Sequence, residues 1–126
     1  MNQEDLNEKL AKAIGKYSLM IGYKTTKSII DKIPTLSKSK SIILSGGDAF
    51  LNARNAVMET GKVLLEDRER NTVEGIIYAG TANMNPAIVV IIISGKTVTI
   101  SAFAKEGLIN QHTAKKAIDR FTSALC

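Results

Sequence analysis

Few side chains in this chain of 126 residues have the types and spacing of a reaction centre, and the best-placed set is Ser45-Gly46-Gly47-Asp48. It leads from an apolar triplet, Ile42-Ile43-Leu44, into a segment with helical spacing, and free backbone N–H groups at a helix start attract anions such as phosphate. The set lacks the Lys and Ser/Thr of a phosphate-binding loop and the third glycine of a dinucleotide fingerprint. The Asp48 carboxylate would itself take those donors as an N-cap, so the residues predict a cap rather than a ligand site. His112 is the single histidine, and one chain cannot build a His/Cys or paired-His metal cluster from it. Its neighbours Gln111 and Thr113 do not orient it as a general base. Glu66, Asp67, Glu69 and Glu74 gather carboxylates, but the interleaved Arg68 and Arg70 predict ion-paired loop decoration rather than acid–base work. Met20, Met58 and Met84 lie in or beside apolar segments, where methionine fills gaps in a core. No catalytic, cofactor-binding or metal-binding residue is assigned, and the chain is expected not to be an enzyme.

Charge is the other chemical resource. The net charge is +5, and it is concentrated early, because residues 1–40 carry eight lysines against four acids. Lys24, Lys27, Lys32, Lys38 and Lys40 have only Asp31 opposing them, and on one face they would attract an anionic partner. Nucleic acid, RNA in particular, is therefore a candidate partner, although no arginine and few aromatics accompany these lysines. The single cysteine, Cys126, has no mate within the chain, so a reducing, cytoplasmic setting is expected. No segment approaches the roughly 18 consecutive apolar residues of a membrane span. The N-terminal Asn2-Gln3-Glu4-Asp5 is unlike the basic start of an export signal.

The elements that must position these residues are organised around Ala87–Ile93, seven apolar residues in a row. Strand side chains alternate between faces, so this run predicts a strand covered on both sides. Thr97–Ala102 alternates polar and apolar, as a strand wetted on one face does. The two join through Ser94 and Gly95 as an antiparallel hairpin. Ahead of them, Ile42–Leu44 predicts a short strand. Asp48 opens a helix with Phe50, Ala53 and Val57 on one face that ends at Gly61. Lys62–Glu66 and Thr72–Ala79 predict a hairpin around a charged turn, and residues 80–86 are rich in turn formers. Asn110 or Thr113 caps a last helix with Ala114, Ala117, Ile118, Phe121 and Leu125 inward and Lys115, Lys116, Asp119 and Arg120 outward.

Upstream, Asp5 caps a helix whose stripe is Leu6, Leu10, Ile14, Tyr17 and Ile21, although residues 16–23 also alternate as a strand would. Thr25 or Thr26 opens a second helix carrying Ile29, Ile30 and Ile33 that Pro34 ends, and a Lys/Ser linker follows from Leu36 to Lys40. Residues 1–36 thus form an amphipathic helical arm and residues 37–126 a compact domain. The expected fold is α+β, an antiparallel sheet of about five strands in the order β-α-β-β-β-β-α, helix-grip-like, with two helices on one face.

Leu6 to Ile30, with Gly15-Lys16-Tyr17 and Gly22-Tyr23-Lys24, resembles the start of the L30e-like ribosomal RNA-binding family, where such tripeptides lead into an RNA-contacting helix. The resemblance implies RNA contacts at Gly22, Lys24, Thr26 and Lys27. It covers about a fifth of the chain, and residues 62–103 depart from that family's alternation of helices and strands.

Two helices on one face leave Ile88, Val90 and Ile92 pointing the other way. Burying each is worth about 1.5–3 kcal/mol, so something must cover them. The arm, a second subunit or a small apolar ligand could do so. The expected function is a small cytoplasmic module that acts by self-association or association with a protein partner through this apolar face and its arm. The alternatives are nucleic-acid binding through the Lys24–Lys40 surface and a small apolar ligand held between sheet and helix.

Overall fold

The computed structural model describes residues 2–21, 31, 33, 37–106 and 111–125. The first helix, α1, spans Gln3–Tyr17 and buries Leu6, Leu10, Ala13 and Ile14 along one stripe. Its cap is Asn2 rather than Asp5: the Asn2 side chain accepts the Asp5 N–H at 2.8 Å. Asp5 instead stands with Glu4 in the first turn, where a carboxylate favours the positive end of the helix dipole. Ser18–Ile21 continue as a 3-10 turn, so the stretch with two readings is helical as far as Ile21. Most of the expected second helix lies outside the described residues. Its Ile33 is described and buried.

The remaining elements are β1 (Lys38–Ile43), α2 (Ala49–Thr60), β2 (Gly61–Asp67), β3 (Thr72–Ala79), β4 (Asn85–Ser94), β5 (Thr97–Phe103) and α3 (Thr113–Leu125). The five strands form one antiparallel sheet in the order β1-β5-β4-β3-β2. The fold is α+β. Strands β2 to β5 follow one another as a meander, and the sheet is closed on its far side by β1, which the chain lays down first.

The apolar run is the sheet's middle strand. Ala87, Val89, Ile91 and Ile93 join Phe50 and Val57 of α2 and Phe121 of α3 in one core. Ile88 and Val90 face the opposite way, into a second core with Leu10, Ala13 and Ile14 of α1, Ile33 and Phe103. The sheet is thus covered by α2 and α3 on one face and by α1 of the same chain on the other.

Several local expectations change. The Lys/Ser stretch ending at Lys40 is not a linker, because Lys38, Ser39 and Lys40 pair with Ala102, Ser101 and Ile100 across β1 and β5. An edge strand exposed on both sides carries no apolar pattern, which hides it in sequence. The start of α3 is held by a residue well upstream: Glu106 accepts the Thr113 N–H at 2.7 Å and the Gln111 N–H at 3.2 Å through its two carboxylate oxygens. Thr113 does not cap its own helix. Its hydroxyl accepts a hydrogen bond from Asn85 Nδ2 at 2.7 Å, and Asn110 lies outside the described residues. Arg120 does not simply face water, since its guanidinium donates to the backbone carbonyls of Thr60 and Tyr78. The β4–β5 hairpin forms with its turn one residue further on: Ser94 pairs with Thr97, and Gly95, at φ +60°, and Lys96 make the two-residue turn.

Candidate interaction edge

β1 is one of the two outer strands of the sheet, and its backbone geometry follows from one hydrogen bond. Leu44 N–H donates to the Lys96 carbonyl at 2.8 Å, just beyond the Ile43–Thr97 pair. Antiparallel ladders alternate bonded and non-bonded pairs, so Ile42, Lys40 and Lys38 also turn their backbone groups toward β5. Ser39, Ser41 and Ile43 therefore aim their N–H and C=O groups away from the sheet. The side chains agree: the Ser41 and Thr99 hydroxyls are 2.9 Å apart, as expected across a non-bonded pair, where side chains approach more closely. No described strand pairs with this outer side. Every residue of β1 except Ile42 is exposed, and Ile43 is 79% accessible.

The other outer strand is built differently. The β2–β3 register shifts between Val63 and Leu65, and such a bulge twists an edge out of line for further pairing. An ion pair of 2.8 Å from Arg54 Nε to Glu66 also ties β2 to α2. β1 has no such bulge; its register with β5 is unbroken from Lys38 to Ile43.

Two surfaces flank β1. Lys38 and Lys40 stand opposite Ala102 and Ile100, which belong to the core under α2 and α3, so both lysines rise on that side of the sheet. Both are exposed, and neither makes an ion pair among the described residues. On the α1 side is a groove of about 590 Å³. It is lined by the hydroxyl residues Ser39, Ser41, Ser94, Thr97 and Thr99, with Leu6 and Ile92 as its apolar surface, and Lys40 of the edge strand also borders it. Gln3 at the start of α1 accepts from the Ser39 hydroxyl at 3.0 Å, which ties helix and edge strand together.

α1 is anchored at its other end by Glu74 of β3. Glu74 is only 7% exposed, and its Oε1 accepts from Lys16 Nζ at 2.6 Å and from the Tyr17 hydroxyl at 2.7 Å. The Glu74 hydrogen bond holds the Lys16 ammonium above its usual pKa. Burial, reinforced by Glu74, pushes the Tyr17 phenol up as well. Both groups bind their protons more tightly folded than unfolded, so their contribution is complete below about pH 10 and is lost as pH rises through the folded pKa values. Alkaline titration of the folded chain is expected to lower its urea midpoint above about pH 10, and Tyr17→Phe should flatten that fall. An unchanged slope in the variant would remove Tyr17 from the anchor. Sequence grouped Glu74 with the charged loop. The available signal was its place as the one charged residue between Val73 and Ile77, in a strand apolar on both faces.

The other residues singled out in the sequence are dispersed. Ile88 and Val90 are inaccessible beneath α1, and Ile92 is half-buried beside the groove. Lys24, Lys27 and Lys32 lie outside the described residues, as do Gly22, Thr26 and Cys126. Asp48 caps α2, accepting the Leu51 N–H at 3.1 Å, and pairs with Arg68 at 3.1 Å. These contacts, the Leu51 N–H foremost, hold its carboxyl below the usual range. Arg68 also lies 4.7 Å over the Phe50 ring. Arg70 approaches Asp67 at 3.8 Å, so both arginines of the β2–β3 turn are paired with a carboxylate. Among the described residues no cluster of three or more His, Cys, Asp or Glu could hold a metal ion, and no helix is long and apolar enough to cross a membrane. No family model matches this chain, and neither does any curated protein or solved structure.

Proposed function

We propose that this chain is a cytoplasmic, non-enzymatic association module that receives an extended segment of a protein partner along the outer edge of β1. The observation that carries this reading is the outward set of backbone N–H and C=O groups at Ser39, Ser41 and Ile43, on a regular, exposed strand. An added strand gains affinity from such main-chain groups and specificity from side chains on either side. The apolar face first expected to associate is occupied by α1, so a partner reaching Ile88 or Val90 would have to displace a helix. Addition at β1 requires no such opening.

Proline distinguishes the two routes. Ser41→Pro removes one outward N–H and leaves the β1–β5 ladder whole, since Ser41 does not donate to β5. Selection of peptides from a displayed library on the full chain alone, followed by binding assays on Ser41→Pro, is expected to recover extended sequences that bind only the unmodified protein. Ile43→Pro removes a neighbouring outward N–H without the Ser41–Thr99 contact and should show the same loss. Peptides that bind all three forms equally would place the interaction elsewhere and end this reading.

A further inference from the structure

We infer that the segment taken up by β1 is acidic at alternate positions, an inference that rests on strand addition at this edge. Lys38 and Lys40 are two residues apart on one strand, so their side chains share a face about 7 Å apart. Directly opposed residues in an antiparallel pair point to the same face with Cβ atoms about 5 Å apart. Carboxylates two residues apart on an incoming strand therefore meet the two ammonium groups one to one. The positive charge is available: Arg54, Arg68, Arg70, Lys12, Lys16 and Lys115 are each paired with an acid of this chain, whereas Lys38 and Lys40 have no such pair among the described residues.

The rest of the edge specifies the rest of the pattern. The next position on the lysine face is Ile42, half-buried against the α2/α3 core, and it calls for an apolar neighbour. Ile43, exposed at the end of the strand, calls for another. Ser39 and Ser41 border the hydroxyl-lined groove and suit small polar residues. Every pair in the sheet is antiparallel, and antiparallel pairing is the more stable kind. From its N-terminus, the partner then reads apolar, apolar, small polar, acidic, small polar, acidic.

A second copy of the chain fits less well. A two-fold antiparallel pair keeps each residue on its own face, so the symmetry axis must pass through a residue. Centred on Ile42 or Ile43, the pair parts the lysines but overlaps no more than three residues of β1. Centred on Lys40, it sets that lysine against its own copy. Centred on Ser41, it sets the two Lys40 side chains on a close diagonal; centred on Ser39, it sets Lys38 against Lys40. Like charges so placed oppose pairing, and each copy brings a net charge of +5.

The test uses the full chain and fluorescein-labelled decapeptides with Val-Val-Thr-Glu-Thr-Glu or Val-Val-Thr-Lys-Thr-Lys at the centre, read by anisotropy at low salt. The glutamate peptide should bind at least about tenfold more tightly, and the preference should shrink with added salt. Lys38→Glu combined with Lys40→Glu should reverse the preference, while Ser41→Pro and Ile43→Pro should abolish binding of both peptides. Equal binding of both peptides, still lost in the proline variants, would leave strand addition standing and overturn the acidic specificity. Failure of both peptides to bind at millimolar concentration would overturn the two together. Tight binding of a short single-stranded RNA that survives Ser41→Pro but not the double charge reversal would assign the lysines to nucleic acid instead. Dimerisation of the unmodified chain by light scattering, lost in Ser41→Pro, would assign the edge to a second copy.

Discussion

Leu10→Ala is expected to lower the stability of the chain by about 2–5 kcal/mol, a large part of the total for a domain of this size. Leu10 is fully buried between α1 and the sheet, in the core that holds Ile88, Val90 and Phe103. The truncation removes apolar contact and leaves a void that a helix fixed at both ends cannot collapse. Gln3 ties its start to β1 and Glu74 ties its end to β3. Urea unfolding reads the effect as a lower midpoint, and the slope decides its character. An unchanged slope means that α1 and the sheet unfold together. A reduced slope means that the helix has already left and the native state exposes more surface. An unfolding free energy within about 0.5 kcal/mol of the unmodified chain, the range of ordinary surface substitutions, would show that α1 does not cover this face.

Gly61→Ala is the second large effect, and its cause is a close approach rather than backbone conformation. Gly61 lies where α2 ends and β2 begins, paired with Ile77. A Cβ there would stand 1.9 Å from the Ile76 carbonyl oxygen and 2.9 Å from Ile77 Cα. Both obstacles are backbone atoms of β3, an interior strand, which cannot rotate aside as a side chain would. Overpacking ordinarily costs about 1–3 kcal/mol, and a rigid backbone obstacle places this substitution at or above the upper end. Gly15 is the control: it is exposed in α1, and a Cβ added there would meet nothing within 4 Å. Gly15→Ala should stabilise the chain by about 0.5–1 kcal/mol through helix propensity. Thermal melts of the two variants should therefore move in opposite directions, and an unchanged or raised melting temperature for Gly61→Ala would contradict the packing described at Gly61.

The candidate edge shows where reading a sequence stops. Lys38 and Lys40 stood out by charge, but the strand that carries them read as a linker because no residue before Ile42 buries a side chain. Pairing with β5 involves backbone groups, which are the same for every residue type, so the partner about sixty positions away left no mark on Lys38–Lys40. Glu74 was visible as a residue, and so were Lys16 and Tyr17. Their meeting depends on how α1 crosses the sheet, fifty-eight positions away along the chain from Lys16. The Glu106 cap of α3 was hidden for a related reason, since it reaches Thr113 from seven positions upstream rather than from the residue before the helix.

By itself the sequence determined what depends on local period and burial: a doubly apolar strand at 87–93, the hairpins around it, the cap at Asp48, and the amphipathic helices α1, α2 and α3. These follow because a side chain's preference for water or core acts at every position and repeats with the geometry of its own element. The tertiary structure alone decided that α1 of the same chain closes the second face, that β1 lies beside β5, and that one edge of the sheet stays straight while the other bulges. Those choices are made by contacts between residues far apart in the chain, whose energies depend on relative placement and are written in no single segment.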